Sequence, residues 1–368
     1  MMKELNEMKG MFEDIVELSS NIIDCGLGIS SHGLPPNATE AGINAIKEGI
    51  CNYTMPACGL TTFRENIASI NTQELKYSLS KENIIVTSGS EFAIDLIYRS
   101  LLKATNSIII FDPYYIPFVT NARIYGINPI FVNTYDTAFQ IDLEGLKRSI
   151  NNHVKMIILV CPNNPTGRIY NIDTLYELVE IAKTYNIYLV VDEVYKFFTY
   201  DTEYKSIFHL YPEGIILLRS FSKEYCMMGY RVGYIIGTVD TINHLKKFLS
   251  PCWGAPIISS IMANAALLRG YSTNILEKYK EIRDQLYPEL FKLGLINYKP
   301  EGSFYFYLKI PFGYNNSFEY AECLLKYGLK LAPGFSQQKK HIRLSYGALK
   351  KEDLSKVIDI LKKTINNN

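Results

Sequence analysis

The amino-acid sequence predicts an α/β protein with a doubly wound, mostly parallel sheet of seven strands and a smaller α+β unit towards its carboxyl end. Two observations predict this architecture. Short runs of apolar and β-branched residues alternate with longer helical patterns through the middle of the 368-residue chain. The runs are apolar at almost every position, which is typical of parallel strands covered by helices on both faces. Beyond residue 265 this alternation stops, and a long helix is followed by separate strands.

The candidate strands of the larger unit are short and end at polar residues. They are Ile84–Thr87, Ser107–Phe111, Ile130–Asn133, Met156–Cys161, Ile187–Val191, Ile215–Leu218 and Tyr230–Ile236. The predicted helices among and after them include Glu91–Lys103, Asp173–Thr184 and Ser259–Leu268. The connection between Leu218 and Tyr230 is too short for a helical crossover, so we expect the last strand to run antiparallel.

The carboxyl-terminal part has a different pattern. It reads as a helix, two strands and a closing helix, at Asn274–Phe291, Gly302–Ile310, His341–Ser345 and Lys351–Ile365. A chain of this length is too long for one compact core. We therefore predict a large, ligand-binding domain over residues 41–265, with residues 1–40 and 266–368 forming an amino-terminal arm and a small domain.

The charge and the cysteine content exclude several classes of protein. Lys and Arg number 38 against 37 Asp and Glu, which predicts no nucleic-acid partner. The seven cysteines are scattered and lack a CxxC pair, so we expect reduced thiols and no metal site. The first residues are charged rather than signal-like, and no apolar run approaches the ~20 residues that span a membrane. We expect a cytoplasmic protein that acts on small molecules.

Five of the predicted strands are followed directly by polar or aromatic residues. In an open parallel sheet, ligands bind outside the carboxyl ends of the strands. Five such ends at one edge therefore predict a single site. The segments are SGSE at 88–91, DPYY at 112–115, CPNNPTG at 161–167, DEVY at 192–195 and RSFSK at 219–223, with Arg231 shortly after the last.

The residue types in these segments suit one ligand, pyridoxal 5′-phosphate (PLP). Backbone N–H groups at the start of a helix bind phosphate, and a guanidinium and hydroxyls add to that binding. A tyrosine can stack on a flat ring, an aspartate can pair with a protonated ring nitrogen, and a lysine amine can bond to an aldehyde. The candidates are Ser90, Ser220 and Arg231 for the phosphate, Tyr115, Asn164, Tyr195 and Asp192 for the ring, and Lys223 for the aldehyde.

Other interpretations of these segments explain less. Ser220 and Lys223 form an SxxK pair, as in serine acyl-enzymes, but the SDN and KTG segments that accompany it there are missing. A dinucleotide-binding fold requires GxGxxG after the first strand, and this chain has none. Taken singly, NNPTG could be only a turn, and an aspartate after a strand is often a helix cap.

The order and content of these segments resemble the class I and II aminotransferases, PLP enzymes of fold type I, and most of all their aspartate/aromatic-type branch. The resemblance covers nearly the whole chain. It rests on YTMPACGLTTFRENIA, IIVTSGSEFAID, DPYY, CPNNPTGR, VVDEVY, RSFSKEYCMMGYRVGY and HIRLSYG, in the family's order. It implies the PLP-transferase fold, a homodimer with shared active sites, and transfer of an amino group between an L-amino acid and a 2-oxo acid.

The resemblance also implies a role for each matching residue. Lys223 would hold PLP as a Schiff base and carry the proton, and Asp192 would pair with the pyridinium nitrogen. Tyr195 and Asn164 would bond the phenolic oxygen, and Tyr115 would stack on the ring. The implied phosphate ligands are Ser90, the backbone N–H of Glu91, Ser220, Ser222, Arg231 and, from the neighbouring subunit, Tyr53. The implied substrate-binding residues are Asn164, Arg343 for the α-carboxylate, and Gly28 in an amino-terminal strand that closes over the site.

Some alternatives stay open at this point. The same lysine and aspartate would serve a PLP-dependent decarboxylase, β-lyase or oxidase. A non-catalytic PLP sensor would carry an added DNA-binding module, which this chain lacks. The segment after Gly28 departs from the family pattern, so Ser30 or His32 could contact substrate, although a solvent-facing loop histidine is the competing interpretation. No second arginine or lysine is dedicated to a side-chain carboxylate, and Glu91 stands where a cation would help, which disfavours dicarboxylic substrates.

Overall fold

The computed structural model describes residues 22–249, 254–270, 273–334, 336 and 338–366. Residues 1–21 of the predicted arm, Cys252 and Phe335 lie outside the described residues. The strands are β1 (Ile23–Cys25), β2 (Ile84–Thr87), β3 (Ser107–Asp112), β4 (Asn128–Asn133), β5 (Val154–Val160), β6 (Tyr188–Asp192), β7 (Ile215–Ser220), β8 (Gly233–Ile236), β9 (Tyr305–Lys309), β10 (Leu329–Pro333) and β11 (His341–Ser345).

The α-helices lie between and after these strands. They are α1 (Pro36–Lys47), α2 (Thr61–Leu75), α3 (Gly89–Leu101), α4 (Ile116–Ile124), α5 (Leu143–Ser149), α6 (Ile172–Thr184), α7 (Phe221–Glu224), α8 (Val239–Lys246), α9 (Ile257–Arg269), α10 (Thr273–Lys292), α11 (Ser317–Lys326) and α12 (Leu354–Asn366). Among the described residues, no helix has both the length and the apolar character needed to cross a lipid bilayer.

A seven-stranded sheet in the order β2-β8-β7-β6-β5-β3-β4 is the centre of the larger unit. Its strands pair in parallel except β8, which runs antiparallel to β2 and β7. Between β7 and β8 the chain makes only the short α7 and a 3₁₀ turn, which leaves no length for a crossover helix. The predicted mostly parallel sheet and the predicted antiparallel last strand are confirmed.

The predicted strand Tyr230–Ile236 begins later than expected. Tyr230 ends a 3₁₀ turn, and Arg231 has a positive φ of 54°. A residue in that left-handed conformation cannot continue a pleated strand. The strand therefore starts at Gly233, and the predicted start at Tyr230 was wrong.

Helices cover both faces of the large sheet, and each face has its own apolar core. Ile84 faces the core that contains Phe63 of α2, whereas Ile85 faces the core that contains Leu96 of α3. Successive side chains of a strand point to opposite faces, so a strand buried on both faces must be apolar throughout. This explains the uninterrupted apolar runs in the sequence.

The smaller unit is built on a four-stranded sheet in the order β1-β10-β11-β9. A third core, which includes Leu290, Phe306, Tyr320 and Val357, joins this sheet to α10, α11 and α12. The predicted strand Gly302–Ile310 begins only at Tyr305, because φ is positive at Ser303. The helices α1 and α9, which contain the predicted domain boundaries, pack against each other. The division at residues 40 and 265 stays a prediction.

The amino-terminal strand ends before Gly28. The Asp24 Oδ1 atom accepts the N–H groups of Gly26 and Leu27 at 2.8 and 3.3 Å, and this turn ends β1 at Cys25. Gly28 therefore lies after the strand, and its predicted position within a strand was wrong. A Cβ atom at residue 28 would overlap the Tyr305 hydroxyl, so glycine is what allows this close approach.

Candidate active site

The predicted site residues meet where the parallel strands of the large sheet end. Asp192 is the last residue of β6, and Ser220 is the last residue of the neighbouring β7. Asp192 pairs in register with Val160 at the end of β5, which leads into the CPNNPTG segment. Parallel strands bring their carboxyl ends to one edge, and side chains from β5, β6 and β7 therefore share one cleft.

Asp192 is a buried carboxylate that lacks a cation of its own. Its Oδ1 atom accepts the N–H of Val194 at 3.1 Å, and no Lys or Arg in the described part of the chain lies within salt-bridge distance of it. Burial, aided by the neighbouring Glu193 charge, raises the pKa of Asp192 to about 7, although the Val194 N–H and the Lys223 charge act in the opposite direction. A buried carboxylate in this state would be stabilised by a cationic partner such as a protonated ring nitrogen.

Lys223 lies in the short helix α7, directly after β7. Its Nζ atom donates a hydrogen bond to the Gly28 carbonyl oxygen at 2.5 Å and lies 3.5 Å from the Met228 sulfur. Burial, together with the positive charges of Arg343 and Arg231, lowers the pKa of Lys223 to about 8, although the Glu91 and Asp192 charges act in the opposite direction. A depressed pKa leaves a larger share of neutral amine, the form that attacks an aldehyde.

A phosphate-sized anion would fit at the start of α3. No side chain caps this helix, so N–H groups of its first turn are available to a ligand. Gly89 has φ +81°, and a Cβ atom there would collide with the guanidinium of Arg231. The Arg231 Nη1 atom donates to the Met228 carbonyl oxygen at 2.9 Å, which fixes the guanidinium beside the helix. Ser220 and Ser222 are buried at the adjoining strand end, where the Ser220 hydroxyl accepts the Ser222 N–H at 3.1 Å.

Tyr115 and Glu91 are bonded to each other. The Tyr115 hydroxyl donates to the Glu91 carboxylate. The Tyr115 ring packs edge-on against Phe118, with centroids 5.6 Å apart, so the ring is held from both ends. Burial, followed by the Glu91 charge, raises the pKa of Tyr115 well above its usual value. Tyr115 is therefore a neutral, oriented ring, as a stacking partner must be.

Arg343 joins three parts of the molecule. It belongs to β11 of the small sheet, its Nη1 atom donates to the Asn164 side chain at 3.0 Å, and its Nη2 atom donates to the Gly26 carbonyl oxygen at 2.7 Å. Its guanidinium lies 4.5 Å from the centre of the Tyr305 ring. The buried Nε atom has no hydrogen-bond partner, and no carboxylate among the described residues pairs with this arginine. An α-carboxylate would suit this cation.

Tyr195 and Tyr305 form a buried hydroxyl pair. Their oxygens are 2.6 Å apart, and the charge of Arg343 acts on both rings. Tyr305 was missed in the sequence, although it stands at an alternate position of the apolar strand GSFYFYL, facing the same side as Arg343 in the adjacent strand. The sequence feature that could have indicated Tyr305 is a polar hydroxyl at this alternate position of an otherwise apolar strand.

Ser30 and His32 hold the backbone of the lysine helix. The Ser30 hydroxyl donates to the Lys223 carbonyl oxygen at 2.6 Å. The two ring nitrogens of His32 lie 2.9 Å from the Glu224 carbonyl oxygen and 3.0 Å from the Tyr279 hydroxyl. A solvent-facing loop histidine is therefore the wrong interpretation. Residues 26–32, called the amino-terminal segment below, cover α7.

Tyr53 stands apart from the other predicted site residues. Its side chain is 75% exposed in the single chain, whereas Asp192, Asn164, Tyr195, Ser220 and Ser222 are buried. It follows a 3₁₀ turn between α1 and α2, where its backbone N–H donates to the Ile50 carbonyl oxygen at 3.3 Å, and its side chain forms no hydrogen bond with another described residue. Its predicted contact with the phosphate of a neighbouring subunit stays a prediction.

Comparison with known proteins decides the family. Residues 13–361 match the family model of the aminotransferases of class I and II. The chain belongs to this family. A probable aspartate aminotransferase of Methanocaldococcus jannaschii is 31% identical to this aminotransferase over 356 residues, which are 94% of this chain and 93% of that protein. The aspartate/prephenate aminotransferase of Thermus thermophilus is 29% identical over 88% of this chain and 86% of its own.

Solved structures agree with the sequence comparison. The aspartate aminotransferase of Thermotoga maritima has a TM-score of 0.91 with this aminotransferase at 25% identity, covering 98% of this chain and 96% of that one. The predicted fold class is confirmed. Class I and II aminotransferases depend on PLP, and this protein is a PLP-dependent transaminase that transfers an amino group between an amino acid and a 2-oxo acid.

The geometry fits the cofactor. The uncapped start of α3 beside Arg231 suits the phosphate, and Asp192, which lacks a cation, suits the ring nitrogen. The half-buried amine of Lys223, with its lowered pKa, suits the aldehyde. The roles of the single residues are proposals, which follow.

Proposed function

We propose that Lys223 and Asp192 carry the transamination in this enzyme. One observation carries the proposal. A half-buried lysine with a depressed pKa and a buried carboxylate with a raised pKa come from the ends of neighbouring parallel strands, and each charge acts on the pKa of the other. An amine with a lowered pKa and a carboxylate with a raised pKa in one cleft are typical of catalytic groups. In a structural ion pair the two pKa values shift the other way.

PLP, when bound, supplies an aldehyde that takes up the amino group and a ring that draws electrons away from the substrate. Asp192 holds the proton at the ring nitrogen, because its carboxylate stabilises the cationic ring. Lys223 moves the proton at the substrate's Cα, for which an amine with a pKa near 8 is suited. Asn164 and Tyr195 bond the phenolic oxygen, Tyr115 lies on the ring, and Ser90, the Glu91 N–H, Ser220, Ser222 and Arg231 bind the phosphate.

Arg343 orients the substrate by binding its α-carboxylate with two parallel N–H bonds. Replacement by lysine keeps the charge but removes one charged hydrogen bond, worth about 1.5–3 kcal/mol, and also the planar fork. We expect Arg343→Lys to lower kcat/KM by about 10–100-fold, measured in steady-state assays with the best amino donor. Arg168→Lys is the matched control, because Arg168 pairs with Glu301 at 2.7 Å outside the site. Equal losses in both variants would contradict the assignment.

The enzyme is proposed to act as a homodimer in which Tyr53 of one subunit reaches the phosphate bound by the other. The exposure of Tyr53 in the single chain, together with exposed Ile46 and Ile50 nearby in sequence, supports a surface that a second copy covers. Free thiols at the described cysteines support the predicted cytoplasmic location.

Tyr53→Phe is expected to weaken PLP binding about 10–100-fold, because a hydroxyl bonded to a charged phosphate contributes about 1.5–3 kcal/mol. The cofactor is first removed by conversion to its aminated form with an amino donor and dialysis. The measurement is the dissociation constant of PLP added back, with the dimer followed by sedimentation. Tyr185→Phe serves as control, since Tyr185 is also exposed and ends α6. Unchanged PLP affinity in an intact dimer would exclude the intersubunit contact.

The function as a whole is tested by a half-reaction. The PLP-loaded enzyme is mixed with single amino acids, and the loss of visible absorption is compared with the 2-oxo acid formed. Equimolar 2-oxo acid and aminated cofactor are expected. Release of carbon dioxide, ammonia or peroxide instead would indicate a decarboxylase, a β-lyase or an oxidase. No described residue specifically favours one of these reactions.

A further inference from the structure

Glu91 is the charge at the active site that the reaction does not use. Its backbone N–H is assigned to the phosphate, but its side chain accepts the Tyr115 hydroxyl and is exposed. No Lys or Arg among the described residues lies within salt-bridge distance of this carboxylate. The carboxylate is near enough to act on the cleft, because its charge raises the pKa of Lys223 against the lowering by burial and Arg343.

Every other charge in the cleft has a partner in the loaded enzyme. Under the proposed function, Arg231 faces the phosphate, Arg343 faces the substrate's α-carboxylate, and Asp192 faces the ring nitrogen. The Lys223 amine forms the covalent bond to the cofactor. The carboxylate of Glu91 is then left without a counter-charge, at an exposed position beside the ring of Tyr115.

We propose that Glu91 selects substrates by side-chain charge, favouring amino acids whose side chain ends in a cation over dicarboxylic amino acids. This inference rests on the proposed function of the site. A distal ammonium group supplies the missing counter-charge to Glu91. A distal carboxylate adds a second anion beside it, and the two arginines that act on the cleft, Arg231 and Arg343, are already assigned to the phosphate and the α-carboxylate. Like charges at short range in a partly desolvated cleft disfavour binding.

Tyr115 gives this carboxylate a fixed position. The bond from the phenol holds the charge at the edge of the stacking ring, so a substrate bound over the cofactor meets it in one place. A carboxylate on a free side chain would be averaged by motion and screened by solvent. Glu91 thus acts on specificity, while Tyr115 acts on the ring and holds Glu91.

The test compares half-reaction rates of the PLP-loaded enzyme with L-ornithine, L-lysine, L-leucine, L-aspartate and L-glutamate. We expect kcat/KM for the two cationic donors to exceed that for the two dicarboxylic donors at least about tenfold. Glu91→Gln should lower this ratio about tenfold or more, because glutamine keeps the bond to Tyr115 and removes only the charge. The neutral donor L-leucine is the internal reference: any change in its rate reports the general effect of the substitution, including the altered pKa of Lys223, and the ratio of cationic to dicarboxylic donors reports the charge selection.

Tyr115→Phe is the matched control. If Glu91 merely tethered Tyr115, Glu91→Gln would leave the donor ratio unchanged, and Tyr115→Phe would slow all donors alike. Fast reaction of L-aspartate or L-glutamate in the wild type, with a ratio that Glu91→Gln does not alter, would overturn this inference and leave the transaminase assignment standing. Absence of 2-oxo acid with every amino acid would overturn both.

Discussion

Lys223→Ala is expected to reduce turnover by at least about 10²–10⁴-fold, because it removes the amine that moves the substrate's proton. It also removes the covalent link to the cofactor, so the visible absorption of lysine-bound PLP should disappear from the purified protein. Rapid mixing with an amino donor, followed by quantification of the 2-oxo acid, measures the first effect, and an absorption spectrum measures the second.

Lys223→Arg is the informative companion. It keeps a positive charge in the same place, but arginine is not deprotonated in proteins and does not form the bond to an aldehyde. Both variants should therefore be inactive, and a small primary amine added to Lys223→Ala should restore part of the activity. Turnover at the wild-type rate in either variant would show that another amine does this chemistry.

Asp192→Asn is expected to have the second large effect. Asparagine has nearly the shape of aspartate but no charge, so it cannot hold the ring nitrogen cationic. If the carboxylate raises the pKa of that nitrogen by two units or more, its loss weakens the protonated form by about 2.7 kcal/mol, or about a hundredfold. The quantity to measure is kcat for the half-reaction at saturating PLP, which separates a slower reaction from weaker cofactor binding.

Glu193→Gln provides the comparison for this variant. Glu193 is the next residue and is also buried, but it bonds the Arg219 Nε atom and the Tyr204 hydroxyl, each at 2.8 Å, on the other side of the strand. Its replacement should lower the melting temperature and leave kcat near the wild-type value. If Glu193→Gln were slow and Asp192→Asn fully active, the catalytic carboxylate would be Glu193 and the assignment of Asp192 would be wrong.

The strand ends were the part of the site that the sequence could predict. Asp192, Ser220 and the CPNNPTG segment directly follow buried apolar strands, and the parallel arrangement brings such ends together whatever the details of packing. Local pattern and one general rule of sheet topology were therefore sufficient to place Lys223 beside Asp192.

Contacts between distant parts of the chain could not be predicted in the same way. Tyr305 reaches Tyr195 only because the small sheet lies against the large one, and β1 pairs with β10 across most of the chain. Arg231 adopts its left-handed conformation where Gly89 leaves room for its guanidinium. Local propensity argues against a positive φ at arginine, and tertiary packing overrides it.

The Gly28 carbonyl oxygen accepts its hydrogen bond from the Lys223 amine, and the Ser30 hydroxyl donates to the Lys223 main chain. The amino-terminal segment is thus attached to the lysine residue at two points, of which one is the reactive atom. When that amine is engaged elsewhere, the first attachment is released and the second persists. We therefore expect cofactor loading to loosen the amino-terminal segment at Gly28, beside the reactive amine, while Ser30 keeps it anchored two residues further along.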